Sequence, residues 1–394
     1  MPAILSRLEL IKKSGRIVVK LGTAVLMRDE GGIALSRFYS FVEALSALQK
    51  SGKEVILVTS GAVGLGAQRL GYAGKPKLLP QKQACAAVGQ GRLMALYSDA
   101  FERLGITAAQ ILLTEEDFSN RQRYLNLRGT LSELLCAGAI PIINENDSVS
   151  TAEIEPLKNA AEFKVNFGDN DKLSALVASK IEADLLLILT DVEGLYTADP
   201  RSAEGATLIS VVDNITPEIE ALAEGKPAAQ SSKVGRGGMK TKLGAARIAT
   251  QSGCATIIAG GKLTNVIDRI FAGEELGTLF VAHPILSGKQ KWIAFATTVK
   301  AAVVVNEGAQ NALMHRKASL LPAGVTEVRG SFDRGDVVSV MDTAGTEFAR
   351  GIVNYSSSEA KKISGLHSNI INEVIESRNY DALITRDNIA FLES

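Results

Sequence analysis

Four short stretches hold residue types that could handle a phosphoryl group or another small anion. In RIVVKLGTAVL (16–26), Lys20 closes an apolar run and Gly22 and Thr23 follow. A lysine in such a run is costly unless its charge has a partner, though an edge lysine can also snorkel to water. VTSGAVGLGAQRLG (58–71) places Ser60 and Gly61 at the turn from a strand into a glycine-rich segment. The spacing is not the dinucleotide fingerprint, because Arg69 stands where a third glycine is due after Gly64 and Gly66. Glycines at such a turn let backbone N–H groups approach an anion, and tight turns need them as well.

The third region joins INENDSVST (143–151), GDNDKLSAL (168–176) and TDVEGLYTADPR (190–201). Asn144, Asn146 and Asp147 follow a strand, and each alone would suit an ordinary turn. Asp169 and Asp171 stand where a helix is about to begin. That placement leaves a helix cap, a metal site and a phosphoryl-transfer centre all open. The fourth stretch, SKVGRGGMKTKLGAA (232–246), is not a Walker A loop, since Met239 rather than glycine precedes Lys240 and Thr241. It combines Gly235, Gly237 and Gly238 with Arg236, Lys240 and Lys242 before a helix. Backbone donors and cations so placed suit nucleotide phosphates; a solvated basic helix end is the plainer reading.

These stretches need a scaffold that gathers strand ends. Arg16–Leu21, Glu54–Thr59, Ile140–Ile143, Leu185–Thr190 and Ala255–Ala259 read as strands, several of them continuously apolar, as in strands covered on both faces. Ser36–Lys50, Gln83–Leu104 and Lys172–Lys180 read as helices between them. Strand–helix alternation predicts an α/β fold with a mostly parallel sheet and helices on both faces, where ligands sit beyond the C-terminal strand ends. Beyond about residue 283 the texture changes to short β-like runs with one helix, Gly308–Arg316, which predicts a small β-rich domain. The expected boundaries are a first domain at 1–283, a linker at 284–298 and a second domain at 299–394.

Composition narrows the function classes. The 394 residues include 46% hydrophobic and 22% charged side chains, enough to bury sizeable cores. Basic and acidic residues number 43 each, so no global field recruits nucleic acid or an acidic membrane. The N-terminus lacks a signal-peptide pattern, and the longest apolar run, ADLLLILT (183–190), is too short to span a bilayer. Cys85, Cys136 and Cys254, like His283, His315 and His367, are scattered without metal-ligand spacing, so no metal-ligating residue is assigned. A soluble cytoplasmic protein with reduced thiols is the expectation.

Taken together, VVKLGTAVL, VTSGAVGLG, KQACAAVGQ, QILLTEEDF, RYLN, INENDSVSTAEI, FGDNDKLSAL, LLLILTDVEGLYTADPR and GGMKTKL resemble the amino acid kinase family, in its glutamate-phosphorylating branch. SLLPAGV, GSFDRGD and ARGI resemble a C-terminal PUA domain. The resemblance implies a three-layer αβα sandwich and transfer of a phosphoryl group from ATP to the side-chain carboxylate of L-glutamate, at the start of proline synthesis. It implies that Lys20 and Lys242 contact the transferring group, with Asp171 between them. Ser60, Asp147 and Asn170 would bind glutamate, with Asn144 nearby. Lys20, Thr190, Asp191 and a loop of Arg236, Gly237, Gly238, Met239, Lys240, Thr241 and Lys242 would bind nucleotide. Mg²⁺, inhibition by proline and a homo-oligomer, dimer or tetramer, are implied too.

The sequence departs from the family at two places. Arg236 stands where the family has threonine, and PLKNAAEFKVN (156–166) is an apparent insertion beside the glutamate loops. The insertion reads first as a tolerated surface excursion. The segment 299–394 carries 10 basic against 12 acidic residues, which argues against RNA binding through the PUA domain.

Overall fold

The computed structural model describes residues 6–72, 74, 76–114, 116–149, 170–200, 203, 205–224, 236–282, 293–294, 299, 301–316, 318–366 and 382–392. The chain forms two compact units, one on each side of residue 285.

The first unit is built on an eight-stranded sheet. Its strands are β1 (Arg16–Leu21), β2 (Glu54–Val58), β3 (Ala108–Leu113), β4 (Ile140–Glu145), β5 (Leu185–Thr190), β6 (Val211–Val212), β7 (Ala255–Gly260) and β8 (Thr278–Phe280). They lie in the order β3-β4-β2-β1-β5-β7-β8-β6. All neighbouring pairs are parallel except β7 with β8. Every residue of β5, LLLILT, is buried, as its unbroken apolar run requires. The chain leaves β1 toward β2 on one side and returns to β5 on the other. β1 is therefore a switch point, where a crevice opens beyond the C-terminal strand ends.

Helices cover both faces. On one face, α1 (Arg7–Lys13), α3 (Leu35–Lys50), α5 (Leu79–Glu102) and α11 (Val266–Ala272) pack together over the sheet. There Ile17, Val19, Leu57 and Leu187 meet Phe38, Val42, Leu45, Tyr97 and Phe101 in one core. The opposite face carries α7 (Arg121–Cys136), α8 (Asn170–Lys180) and α10 (Arg236–Gln251). α8 is apolar or small nearly all round and buried over most of its length, between β1, β5 and α10. The short helix α2 (Thr23–Leu26) follows β1, α4 (Ala62–Arg69) packs on α5, α6 (Glu116–Ser119) on α7, and α9 (Pro217–Glu224) on α10. This is the three-layer αβα arrangement expected from the alternating pattern.

α4 and α5 approach more closely than side chains allow. A Cβ on Gly66 would lie 1.8 Å from the Cys85 carbonyl oxygen, and one on Gly89 1.8 Å from that of Ala62. Among the described residues, no helix is long and apolar enough to cross a membrane.

The second unit holds a five-stranded sheet of β9 (Ala302–Val305), β10 (Val325–Arg329), β11 (Val337–Met341), β12 (Glu347–Ile352) and β13 (Ile389–Phe391), ordered β10-β9-β11-β12-β13. β9 and β11 are parallel and the other pairs antiparallel. Val303, Val338, Val340, Ala349 and Ile384 form its core. The helices α12 (Glu307–Arg316) and α13 (Ser357–Ile363) complete it. Ser356 and Glu359 close a reciprocal capping box at the start of α13, and Arg334 pairs with Glu359.

Candidate active site

Lys20, at the C-terminal end of β1, is only 3% exposed, and the charge that accompanies it is Asp171 in the first turn of α8. Asp171 is fully buried. Its Oδ1 lies 2.5 Å from Lys20 Nζ and its Oδ2 3.0 Å from Lys242 Nζ, on α10. Thr241 Oγ1 donates to the same Oδ2 at 3.2 Å. Lys242 Nζ also donates to the Gly238 carbonyl at 3.1 Å, and that carbonyl, 3.0 Å from Thr241 Oγ1, competes with Asp171 for the single hydroxyl hydrogen. Two ammonium groups thus converge on one carboxylate. The array carries an excess of one positive charge in a nearly dry setting, a strong attractor for an anion. The acid also suits the positive end of the α8 dipole, and the Ser174 hydroxyl donates to its main-chain carbonyl at 2.6 Å.

The adjacent residue, Asn170, opens a second cluster. Its Nδ2 donates to the Thr59 carbonyl at 2.5 Å, to Ser60 Oγ at 2.9 Å and to Asn144 Oδ1 at 2.9 Å. These partners come from the C-terminal ends of β2 and β4, so one asparagine ties α8 to both strands. Gly61, the residue before α4, has φ +102, a conformation that glycine adopts without strain and that turns the chain sharply after Ser60. Beneath this cluster the Thr59 hydroxyl meets the Tyr97 hydroxyl of α5 at 2.9 Å. Burial pushes the Tyr97 phenol well above its usual range, so it stays a neutral hydrogen-bonding group.

The other expected site residues are placed as follows. Asp147 lies half-buried in the turn after β4. Thr190 ends β5, buried, and its hydroxyl donates to the exposed Asp191 at 3.0 Å. β5 pairs with β1 so that Leu189 lies opposite Leu21, and the Gly22 N–H donates to the Leu189 carbonyl at 3.1 Å. This strand end therefore adjoins that of Lys20. The expected 236–242 loop is a difference: Arg236 to Lys242 form the first turns of α10. Helical phase explains why Lys242 and Gly238, four residues apart, act together while Lys240, two residues from each, lies on an exposed part of the helix. Asp169 and the 156–166 insertion lie outside the described residues.

Sequence reading gave no role to Gln90, Thr59 or Tyr97. Gln90 closes KQACAAVGQ, and its Oε1 accepts from Asn144 Nδ2 at 2.8 Å. An uncharged amide on a long helix carries no chemical signal of its own; only the approach of β4 to α5 reveals it.

A buried Lys–Asp–Lys array at the C-terminal edge of an open αβα sheet is suited to receive a phosphoryl group or another small anion. The model of the amino acid kinase family matches residues 15–260, and that of the PUA domain residues 301–375. This chain belongs to the amino acid kinase family and carries a PUA domain C-terminal to the kinase region. Among curated relatives, the glutamate 5-kinase of Geobacter sp. (strain M21) is 46% identical over 387 residues, 98% of this chain and 100% of that protein. The glutamate 5-kinase of Caldanaerobacter subterraneus subsp. tengcongensis is 47% identical over 380 residues, 96% of this chain and 98% of that one. Among solved structures, an isopentenyl phosphate kinase aligns with TM-score 0.45 and 17% identity, over 68% of this chain and 100% of that one.

Proposed function

We propose that this protein transfers the γ-phosphoryl group of ATP to the side-chain carboxylate of L-glutamate, giving L-glutamyl 5-phosphate and ADP, the first step of proline synthesis. The observation that carries the reading is the Lys20–Asp171–Lys242 array, with the Asn170 cluster beside it. Relatives named glutamate 5-kinase, matched along nearly the whole chain, support the choice of acceptor.

The nucleophile, a carboxylate of ordinary pKa about 4.3, is already ionised at neutral pH, so no general base is required. The difficulty is to bring one anion onto another. Lys20 and Lys242 neutralise the charge that redistributes over the transferring phosphoryl oxygens, and Asp171 fixes both ammonium groups before substrates arrive. Ser60, Asn144, Asp147 and Asn170 orient the amino acid; Thr190, Asp191 and the first turns of α10 (Arg236, Gly237, Gly238, Met239, Lys240, Thr241) receive the nucleotide. Both Asp171 oxygens are engaged by lysines, which fits a Mg²⁺ that enters with the phosphates instead of resting in a protein cage. When bound, the ion shields phosphate charge.

Feedback inhibition by proline, assembly into a dimer or tetramer, a cytoplasmic location and a regulatory or interaction role for the PUA domain, within domain limits of 1–283 and 299–394, complete the proposal. The decisive experiment traps the acyl phosphate. Protein incubated with ATP, Mg²⁺, glutamate and hydroxylamine should yield glutamyl hydroxamate, and Lys242→Ala should not. No hydroxamate from folded wild-type protein would overturn the reading.

A further inference from the structure

Four amide and hydroxyl side chains form a continuous row beside the catalytic array: Gln90, Asn144, Asn170 and Ser60. The direction of this row is dictated by one group. The Thr59 main-chain carbonyl accepts only, so the Asn170 atom 2.5 Å from it is the NH₂ nitrogen. That nitrogen also faces Asn144, which must then present its oxygen. Asn144 consequently turns its own NH₂ toward Gln90, which must present an oxygen in turn. Two hydrogens on Asn170 Nδ2 serve three acceptors, so its donor capacity is spent within the protein. The oxygen Oδ1 is left as the atom with which Asn170 addresses a ligand.

We propose that Gln90 is a positioning residue for the amino-acid subsite. By accepting from Asn144 it keeps Asn144, and through it Asn170, from rotating. Asn170 then offers a fixed oxygen to a donor, the ammonium group of an amino acid, rather than an N–H to an acceptor. Without Gln90 the Asn144 amide has no anchor on the α5 side and can turn. Its nitrogen would then face Asn170 and push that side chain out of register. Gln90 itself acts only through the two asparagines and touches neither the phosphoryl path nor Asp171. The inference rests on the proposed glutamate kinase activity and adds the residue that sets its acceptor subsite.

The test compares steady-state kinetics of the full-length wild type, Gln90→Leu and Gln90→Glu, with KM for glutamate and for ATP measured separately. Gln90→Leu should raise the glutamate KM about 10-fold, as expected when one hydrogen-bonded contact is weakened, and leave kcat and the ATP KM within about 2-fold. Gln90→Glu retains an acceptor for Asn144 on a half-buried side chain and should bring the glutamate KM back to within about 3-fold of wild type. A purely structural role would raise both KM values together, lower the melting temperature and gain nothing from glutamate at this position. That result, or an unchanged glutamate KM in Gln90→Leu, overturns the inference while wild-type hydroxamate formation still stands. Wild-type protein that forms no hydroxamate overturns the underlying function, and the inference with it.

Discussion

Lys20 and Asp171, from the end of β1 and the start of α8, form a 2.5 Å ion pair in which neither side chain is more than 4% exposed. A buried pair of this kind adds little net stability, but removing one member strands the other at a cost of about 3–5 kcal/mol. Asp171→Asn keeps the shape and leaves two buried ammonium groups without their anion. The nucleotide-free variant should therefore melt well below wild type. ATP, whose phosphates restore negative charge, should raise its melting temperature by more than it raises that of wild type. Turnover should fall by about 10²-fold or more. Near wild-type turnover from the folded variant would remove Asp171 from the mechanism.

Lys242→Ala removes one cation from the proposed phosphoryl path without touching the Asn170 cluster. Its kcat should drop by about 10²–10³-fold, the loss typical of a missing transition-state donor. The glutamate KM should stay close to wild type. Glutamate-dependent ADP release measures both. A large rise in glutamate KM with kcat retained would place Lys242 in the amino-acid subsite instead.

Gly89→Ala tests the contact between α4 and α5. The new Cβ would sit 1.8 Å from the Ala62 carbonyl oxygen, a backbone atom that cannot swing away. The helices must separate, at a cost of at least about 1–3 kcal/mol. Urea unfolding should show a lower midpoint. Because α5 also carries Gln90 and Tyr97, glutamate affinity should fall as well. A midpoint equal to wild type would show that the two helices part freely.

In the second unit, Arg334 and the α13 capping box hold the Glu359 carboxyl down to about 2, with the Arg334 hydrogen bond the main cause. The folded value lies below the unfolded one of about 4.3, so the stabilisation is complete above that pH and is lost as pH falls through about 2. Much of this arrangement is open to solvent, so Glu359→Gln should cost only about 1 kcal/mol at pH 7. It should also flatten the decline in this unit's stability between pH 5 and pH 2. Hydrogen exchange of β11 and β12 at pH 7, 4 and 3 reports it. A variant that declines as steeply as wild type would exclude Glu359 as the acid-labile group.

The sequence was most readable where chemistry is costly. A lysine near the end of the apolar run RIVVKL stands out because its charge calls for a partner or a route to water. The acids opening the helix at GDNDKLSAL suit a cap equally well, and it is the family resemblance that pairs Asp171 with Lys20, as the fold does. β1 and β5 fall on the stretches expected, because runs buried on both faces are nearly pure in apolar residues. Less was legible where tertiary contact decides. β3, AAQILL, is only partly buried over most of its length, and β6 is two residues long, so neither advertises itself. The reversal at β8 leaves no trace in hydrophobic pattern, since parallel and antiparallel strands share a period of two. The start of α10 read as a loop because Gly237 and Gly238 are poor residues for a helix interior. Gln90, Thr59 and Tyr97 are common residues whose meaning comes only from what lies opposite them.

The position of β1 between β2 and β5 also shapes how the chain is made. Ile17 pairs with Val55 on one side but with Leu185 on the other. At bacterial or eukaryotic synthesis speeds of about 5–20 residues per second, that second partner leaves the ribosome on the order of 10–30 seconds after β1. Through that interval β1 presents an unpaired edge, with Lys20 near its end and no Asp171 to meet it. The same placement that puts Lys20 at the centre of the finished sheet leaves one edge of β1 waiting for a partner during translation.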